Sequence, residues 1–157
     1  MLLWVGKTRD GNIGAAIKGY VQRIGRYITV EVVEVKEESA SDRHAEAVAL
    51  RKEGRRLMER LPQDGEIVVL DPAGRELTSE QFAGFLEKRF NASSSRMRAL
   101  TFIVGGHLGV DEETRKVADH KLSLSRMTLT HEMARLVAVE QIYRGLSIIR
   151  NERYHRR

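Results

Sequence analysis

Apolar and polar positions run along this chain in blocks whose period changes from strand-like to helix-like and back. Leu2-Leu3-Trp4-Val5 is a short apolar run closed by Gly6 and Lys7, the pattern of a buried strand. From Ile13 to Tyr27, Ile13, Ile17, Val21 and Ile24 recur at helical spacing, with Lys18, Gln22, Arg23 and Arg26 opposite. Ile28 to Val35 is β-branched and alternating, which predicts a strand. A polar loop, Lys36 to Ser41, leads to Ser41 or Asp42 as helix cap. Arg43 to Leu61 predicts a helix with Ala45, Val48, Ala49, Leu57, Met58 and Leu61 on one side and dense charge on the other. Gly54 interrupts that helix, at a cost of about 1 kcal/mol relative to alanine. Glu66 to Asp71 is a continuous apolar run bounded by turn residues, as expected of a strand covered on both faces of a parallel sheet. Pro72-Ala73-Gly74 predicts a turn, and Thr78 or Ser79 starts a helix ending near Phe90. Ala99 to Val104 is the next strand, Asp111 to Val117 a short helix and Lys121-Leu122-Ser123-Leu124-Ser125 a short alternating strand. Arg126 to Thr130 is a loop. From His131 to about Ile149 a helix is apolar nearly all round, which predicts burial on more than one side.

Strands alternating with helices predict an α/β fold, a mostly parallel sheet flanked by helices. In such sheets ligands bind outside the carboxyl ends of the strands. Three ends therefore matter: Leu70-Asp71, Val104 to Gly109, and Leu124 to Leu129. The 157 residues fit one domain, residues 1–157, with 151–157 as a basic C-terminal tail. The absence of cysteine excludes disulfides, thiolate metal sites and thiol nucleophiles, and fits a cytoplasmic protein without metal. No apolar run reaches the roughly 18 to 20 residues of a membrane span. The net charge of +5 acquires meaning through its placement: Arg144, Arg150, Arg153, Arg156 and Arg157 crowd the end of the chain, against Glu152.

Each candidate motif carries two readings. Gly105-Gly106-His107-Leu108-Gly109 is either a tight strand-to-helix turn or a backbone cradle; it lacks the Gly-Lys-Ser/Thr of a nucleotide P-loop. Asp71 before Pro72 either starts a turn or faces a ligand hydroxyl or amine. Ser123, Ser125, Thr128 and Thr130, interleaved with Leu122, Leu124, Met127 and Leu129, make either an edge strand or an apolar slot offering hydrogen bonds to a purine. His131 is read as a helix-start residue, and Glu140 with Arg144 as a pair four apart. The two apolar sides of the last helix predict the sheet on one and a second copy of the chain on the other, hence a homodimer. In the tail, arginine forks suit phosphate, and Tyr154 and His155 suit stacking on unpaired bases, against the alternative of a solvated charged end.

Met127-Thr128-Leu129-Thr130-His131-Glu132-Met133-Ala134-Arg135-Leu136, then Glu140-Gln141-Ile142-Tyr143-Arg144, then Tyr154-His155-Arg156, closely resemble the ribosomal RNA large subunit methyltransferase H family, of the SPOUT class. The similarity extends to Leu3-Trp4-Val5-Gly6-Lys7, Val69-Leu70-Asp71 and Ile103-Val104-Gly105-Gly106. The resemblance implies a minimal SPOUT domain whose C-terminal part is tied in a trefoil knot, against the usual rule of unknotted chains. It implies S-adenosylmethionine as cofactor, at Leu70, Gly105, Leu124, Ser125, Arg126, Met127, Thr128 and Leu129. It implies a homodimer that methylates N3 of a pseudouridine in helix 69 of 23S ribosomal RNA on the assembled ribosome, with Tyr154, His155 and Arg156 of the tail in the active site and in RNA binding. For the chemistry of that step, His155 or Tyr154 is the candidate to accept the N3 proton, and Arg144 or Arg156 to stabilise the anionic base. His107-Leu108 and Arg153 depart from the family pattern; the latter stands where proline commonly precedes the tyrosine. A SPOUT enzyme acting on another RNA such as tRNA, and a non-catalytic ribosome-binding module, are the alternative expectations.

Overall fold

The computed structural model of the chain describes residues 1–92, 99–152 and 154. Five parallel strands form one sheet in the order β2-β1-β4-β3-β5: β1 (Leu2–Val5), β2 (Val32–Val35), β3 (Glu66–Glu76), β4 (Leu100–Val104) and β5 (His120–Ser123). Between them run α1 (Gly11–Ile24), α2 (Arg43–Glu59), α3 (Ser79–Phe90), a short α4 (Glu112–Lys116) and the terminal α5 (His131–Ile149). The α/β architecture expected from the hydrophobic pattern is the one observed.

Each described helix begins on a short polar side chain that accepts from orphan amides: Asp10, Asp42, Thr78, Asp111 and Thr130. At α3 the cap is reciprocal, Thr78 accepting from the Gln81 amide while the Gln81 side chain accepts from the Thr78 amide. The first cap moves α1 two residues upstream of its apolar periodicity, to Gly11.

Strand residues alternate between two cores. Leu2, Trp4, Val68, Phe102 and Val104 meet Ile17, Ile24, Leu86, Val139, Ile142 and Leu146 from α1, α3 and α5. Leu3, Val5, Val69 and Ile103 meet Leu57 and Val110 on the other face. Helix α5 lies between α1 and α3. Much of its apolar girth is thus covered by its own chain, so that girth alone does not require a second copy.

Two local expectations are corrected. The strand read from Ile28 is shorter, because Tyr27 and Ile28 donate their amides back to the Ile24 carbonyl and prolong the turn after α1. Pro72-Ala73-Gly74 does not end β3. Leu122 of β5 pairs with both Leu70 and Arg75, so 71–74 bulge out and the strand resumes. A Cβ at Gly74 would lie 2.6 Å from the Leu122 carbonyl carbon, so that glycine lets the bulge pass over β5 at backbone distance.

Gly54, unfavourable inside α2, has its own reason. The Asp111 carboxylate that caps α4 fills the space a Cβ would occupy. Among the described residues no helix is long and apolar enough to cross a membrane.

Candidate functional site

The β3 bulge and the carboxyl ends of β4 and β5 open into a cleft of about 640 Å³, within the range of small-molecule sites. Leu70, where β3 enters its bulge, and Val104, which ends β4, line it. The Gly105–Gly109 loop forms one wall. There the Gly109 amide donates to the Gly106 carbonyl at 3.1 Å, and Gly109 takes a positive φ of 81°. A Cβ on Gly105 would collide with the Gly109 carbonyl oxygen, so only glycine permits the loop to fold onto itself. The opposite wall is the segment after β5. Ser123 donates its hydroxyl to the Ser125 carbonyl at 3.0 Å, and the Met127 amide donates to Ser125 Oγ at 2.9 Å. Thr130, His131 and Ala134 at the start of α5 complete the rim.

Of the positions expected to hold a cofactor, Leu70, Gly105, Leu124, Ser125, Met127, Thr128 and Leu129 all line this cleft. Arg126 does not. Its side chain is 90% exposed and its Nε donates to Glu76 at 3.0 Å.

Among the described residues four titratable side chains line the cleft: Asp71, His107, Arg115 and His131. Asp71 accepts from Arg115 Nε at 2.6 Å and from the Ala73 amide at 2.8 Å. Burial opposes ionisation of Asp71, but the Ala73 amide and Arg115 outweigh it and hold the carboxyl below the ordinary aspartate range. His107 Nδ1 lies 3.1 Å from Glu37, whose other oxygen accepts from Arg9 at 3.0 Å. His131 makes no side-chain hydrogen bond and no ion pair among the described residues. Burial, then the charge of Arg135, push its imidazole below the usual histidine range. Behind it Arg135 is fully buried, its guanidinium donating to the Val5 carbonyl and, at 3.1 Å, to Thr8. Glu132 accepts from the Arg9 and Asp10 amides at 2.7 and 3.2 Å. The β1–α1 loop is thereby clasped to the start of α5. Under the glycine wall, Glu53 is buried beside Gly106 and accepts from the Glu38 amide at 2.8 Å; burial raises its pKa.

Of the candidate catalytic residues, Arg144 and Tyr154 lie elsewhere on this chain. Arg144 donates through Nε and Nη2 to Glu140 Oε1, at 3.0 and 2.6 Å. Tyr154 donates to the same oxygen at 3.1 Å, meets the Tyr20 hydroxyl at 3.0 Å and stacks edge-on against Tyr143. The Arg144 guanidinium lies 5.0 Å from the Tyr154 ring centroid. Burial, Tyr20 and Glu140 together raise the Tyr154 pKa above the ordinary phenol range. His155 and Arg156, with Arg153, lie outside the described residues. Thirteen residues separate His131 from Arg144, about 20 Å along the helix. The cleft and the Tyr154 cluster are therefore distinct places on one chain.

A family model described as "Predicted SPOUT methyltransferase" matches residues 1–155. A protein of Syntrophotalea carbinolica named "Ribosomal RNA large subunit methyltransferase H" is 43% identical over 156 residues, covering 99% of this chain and 97% of its own length. One of the same name from Ruminiclostridium cellulolyticum is 40% identical over 155 residues, covering 97% and 96%. The chain belongs to the ribosomal RNA large subunit methyltransferase H family of SPOUT methyltransferases. Solved structures of the wider class share the fold at low identity. A probable methyltransferase from Bordetella pertussis aligns with a TM-score of 0.58 at 15% identity, over 92% of each chain. TrmJ from Z. mobilis aligns at 0.52 and 11% identity, over 92% of this chain and 68% of its own. For this SPOUT methyltransferase, the sequence pattern marks His131 only as a helix-start residue. Its place on the cleft rim, with the buried Arg135 one turn on, is visible only in the fold.

Proposed function

We propose that this chain uses S-adenosylmethionine to methylate N3 of a pseudouridine in helix 69 of 23S ribosomal RNA, as a homodimer acting on the assembled ribosome in the cytoplasm. The observation that carries the reading is the gathering of seven separate cofactor candidates, from three stretches of sequence, around one cleft. The relatives' shared name supplies the RNA.

The lining suits the cofactor. Leu70, Val104, Leu124 and Leu129 offer an apolar slot for adenine, while Gly105 and the Ser125–Thr128 segment offer backbone groups and hydroxyls for its polar parts. When bound, the cofactor supplies a methyl group made electrophilic by a sulfonium. Everything else falls to the chain. It must hold two reactants in line, exclude water and manage the proton on N3, since a neutral imide nitrogen is a poor nucleophile. Alignment in a water-poor cleft contributes several kcal/mol to such a step.

We read 1–157 as a single SPOUT domain, and the passage of residues 71–74 over Leu122 as part of the crossing that would close a trefoil knot. The distance from the cleft to Arg144 and Tyr154 favours a site completed by the tail of a second copy. Tyr154, His155, Arg144 and Arg156 would then serve the RNA rather than the cofactor. Met127, 78% exposed, and Met133, 38% exposed, supply apolar surface beside the cleft for that copy.

Mass mapping of ribosomal RNA from a strain lacking this gene tests the reading. Loss of one methyl from a helix 69 pseudouridine, restored by the full chain and not by a chain truncated after Arg150, is the expected result. An unchanged ribosomal RNA, or restoration by the truncated chain, overturns the substrate or the role of the tail respectively.

A further inference from the structure

Methylation at N3 requires a group that receives the N3 proton, and a role for that group rests on the methylation reading. The Tyr154 hydroxyl is held by Tyr20 and Glu140 and is less acidic than a free phenol, so little phenolate exists at neutral pH to act as a base. Arg144 is a cation already committed to Glu140. Within the cleft, Asp71 and Arg115 neutralise each other, and His107 is engaged by Glu37. His131 alone among the titratable groups lining the cleft has neither a hydrogen-bond partner nor an ion pair among the described residues.

Its position explains how it stays a free base. His131 is the first residue of α5, where the helix dipole presents positive charge. The buried guanidinium of Arg135 stands one turn on, and His107 faces it from the glycine wall. Glu132 on its own helix and Glu37 on the β2–α2 connection oppose these charges. Burial and Arg135 prevail over them, and the ring remains unprotonated at neutral pH.

We propose that His131 is the proton acceptor of the cleft, its neutral imidazole taking the N3 proton as that nitrogen accepts the methyl group. The N3–H bond breaks towards the imidazole. Its electron pair forms the new N3–carbon bond, and the pair of the old carbon–sulfur bond passes to sulfur. The imidazolium then returns its proton to water. No further reactant is required.

The test uses the full chain, with ribosomes from a strain lacking the gene, under single-turnover conditions from pH 5 to 9. For the unaltered protein the rate should fall as pH drops through a value below 6.5, the ordinary imidazole value. His131→Gln and His131→Asn should lose about 10²- to 10⁴-fold in rate and shed that acid limb. Calorimetry with S-adenosylhomocysteine should show affinity within about threefold of the unaltered protein, since a group acting on the base does not hold the cofactor. Independently of activity, the His131 imidazole resonance should titrate below 6.5 and move when S-adenosylhomocysteine binds.

A retained acid limb in both variants, a rate loss under about fivefold, or a loss of cofactor affinity above about tenfold overturns the role of His131 while the methylation stands. A protein that binds S-adenosylhomocysteine yet methylates no ribosomal RNA overturns the methylation itself, and His131's role with it.

Discussion

At the amino end of α5, His131 and Ala134 face a cleft walled by glycines, backbone and small hydroxyls. At its carboxyl end, Glu140, Tyr143 and Arg144 meet Tyr20 and Tyr154 in a cluster of side-chain heads that are already paired. The first end leaves backbone groups available to a small ligand. The second satisfies its own charges, Glu140 taking up both Arg144 and Tyr154, so the pair itself offers no net charge to a phosphate. One helix thus carries two kinds of surface. A site for a small molecule is built from shape and backbone; a surface for a polyanion must draw on cations beyond the pair, such as Arg150.

The largest expected effect falls on the amino end. Gly105→Ala drives a methyl group into the Gly109 carbonyl and forces the glycine wall open. S-adenosylhomocysteine affinity should fall by more than about 100-fold, near 3 kcal/mol, measured by calorimetry. The same substitution should leave the tyrosine cluster folded. A variant that binds normally would show that the wall is scaffolding rather than cradle.

Arg135→Ala comes next. It removes donors to Val5 and Thr8 and the packing of the guanidinium against Trp4, in a fully buried site. Truncating a side chain of this size in the interior should cost about 3 kcal/mol in urea unfolding. A cost below about 1 kcal/mol would mean that the clasp between α5 and the β1–α1 loop is dispensable.

How much of the molecule was readable from the chain depends on which force fixed each part. The final helix, His131 to Ile149, was legible because a long, nearly all-apolar run follows the loop Arg126 to Thr130. That seven cofactor candidates share one cleft was legible because the resemblance and the strand-end rule pointed to the same places. The continuation of β3 beyond Pro72 was not. Proline and glycine spell a turn locally, and only the pairing of Leu122 with both Leu70 and Arg75 makes them a bulge. Gly54 read as a weakness in α2 because its reason, the Asp111 carboxylate, lies 57 residues further on. His131 read as no more than a helix-start residue, since its sequence neighbours do not show that it ends up facing the cleft beside a buried cation.

Asp71→Asn probes the cleft through pH. The Asp71 carboxyl sits below its ordinary value of 3.8 in the folded protein. Its stabilisation is therefore complete above that value and is lost as pH falls through the lower folded value. With Arg115 partly exposed, solvent screening limits the contribution to about 1 kcal/mol. Thermal melts between pH 5 and 2 should show a shallower acid fall for Asp71→Asn than for the unaltered chain. Equal slopes would remove Asp71 from the acid-sensitive set.

The smallest effect belongs to the carboxyl end and has the opposite sign in pH. The Tyr154 phenol is raised above its ordinary value of 10.0 by burial, Tyr20 and Glu140. The unfolded chain loses that proton first as pH rises. The stabilisation is thus intact below 10 and erodes as pH climbs from there towards the folded value. Tyr154→Phe should cost about 0.5 to 1 kcal/mol at pH 7, leave S-adenosylhomocysteine affinity unchanged and soften the alkaline fall. It should not abolish that fall, because Tyr27, donating to Glu152 at 2.6 Å, is raised as well. Tyr27→Phe with Tyr154→Phe should soften it further than either change alone. If Tyr154→Phe alone weakens cofactor binding, the two ends of α5 are coupled through the helix, and their independence fails.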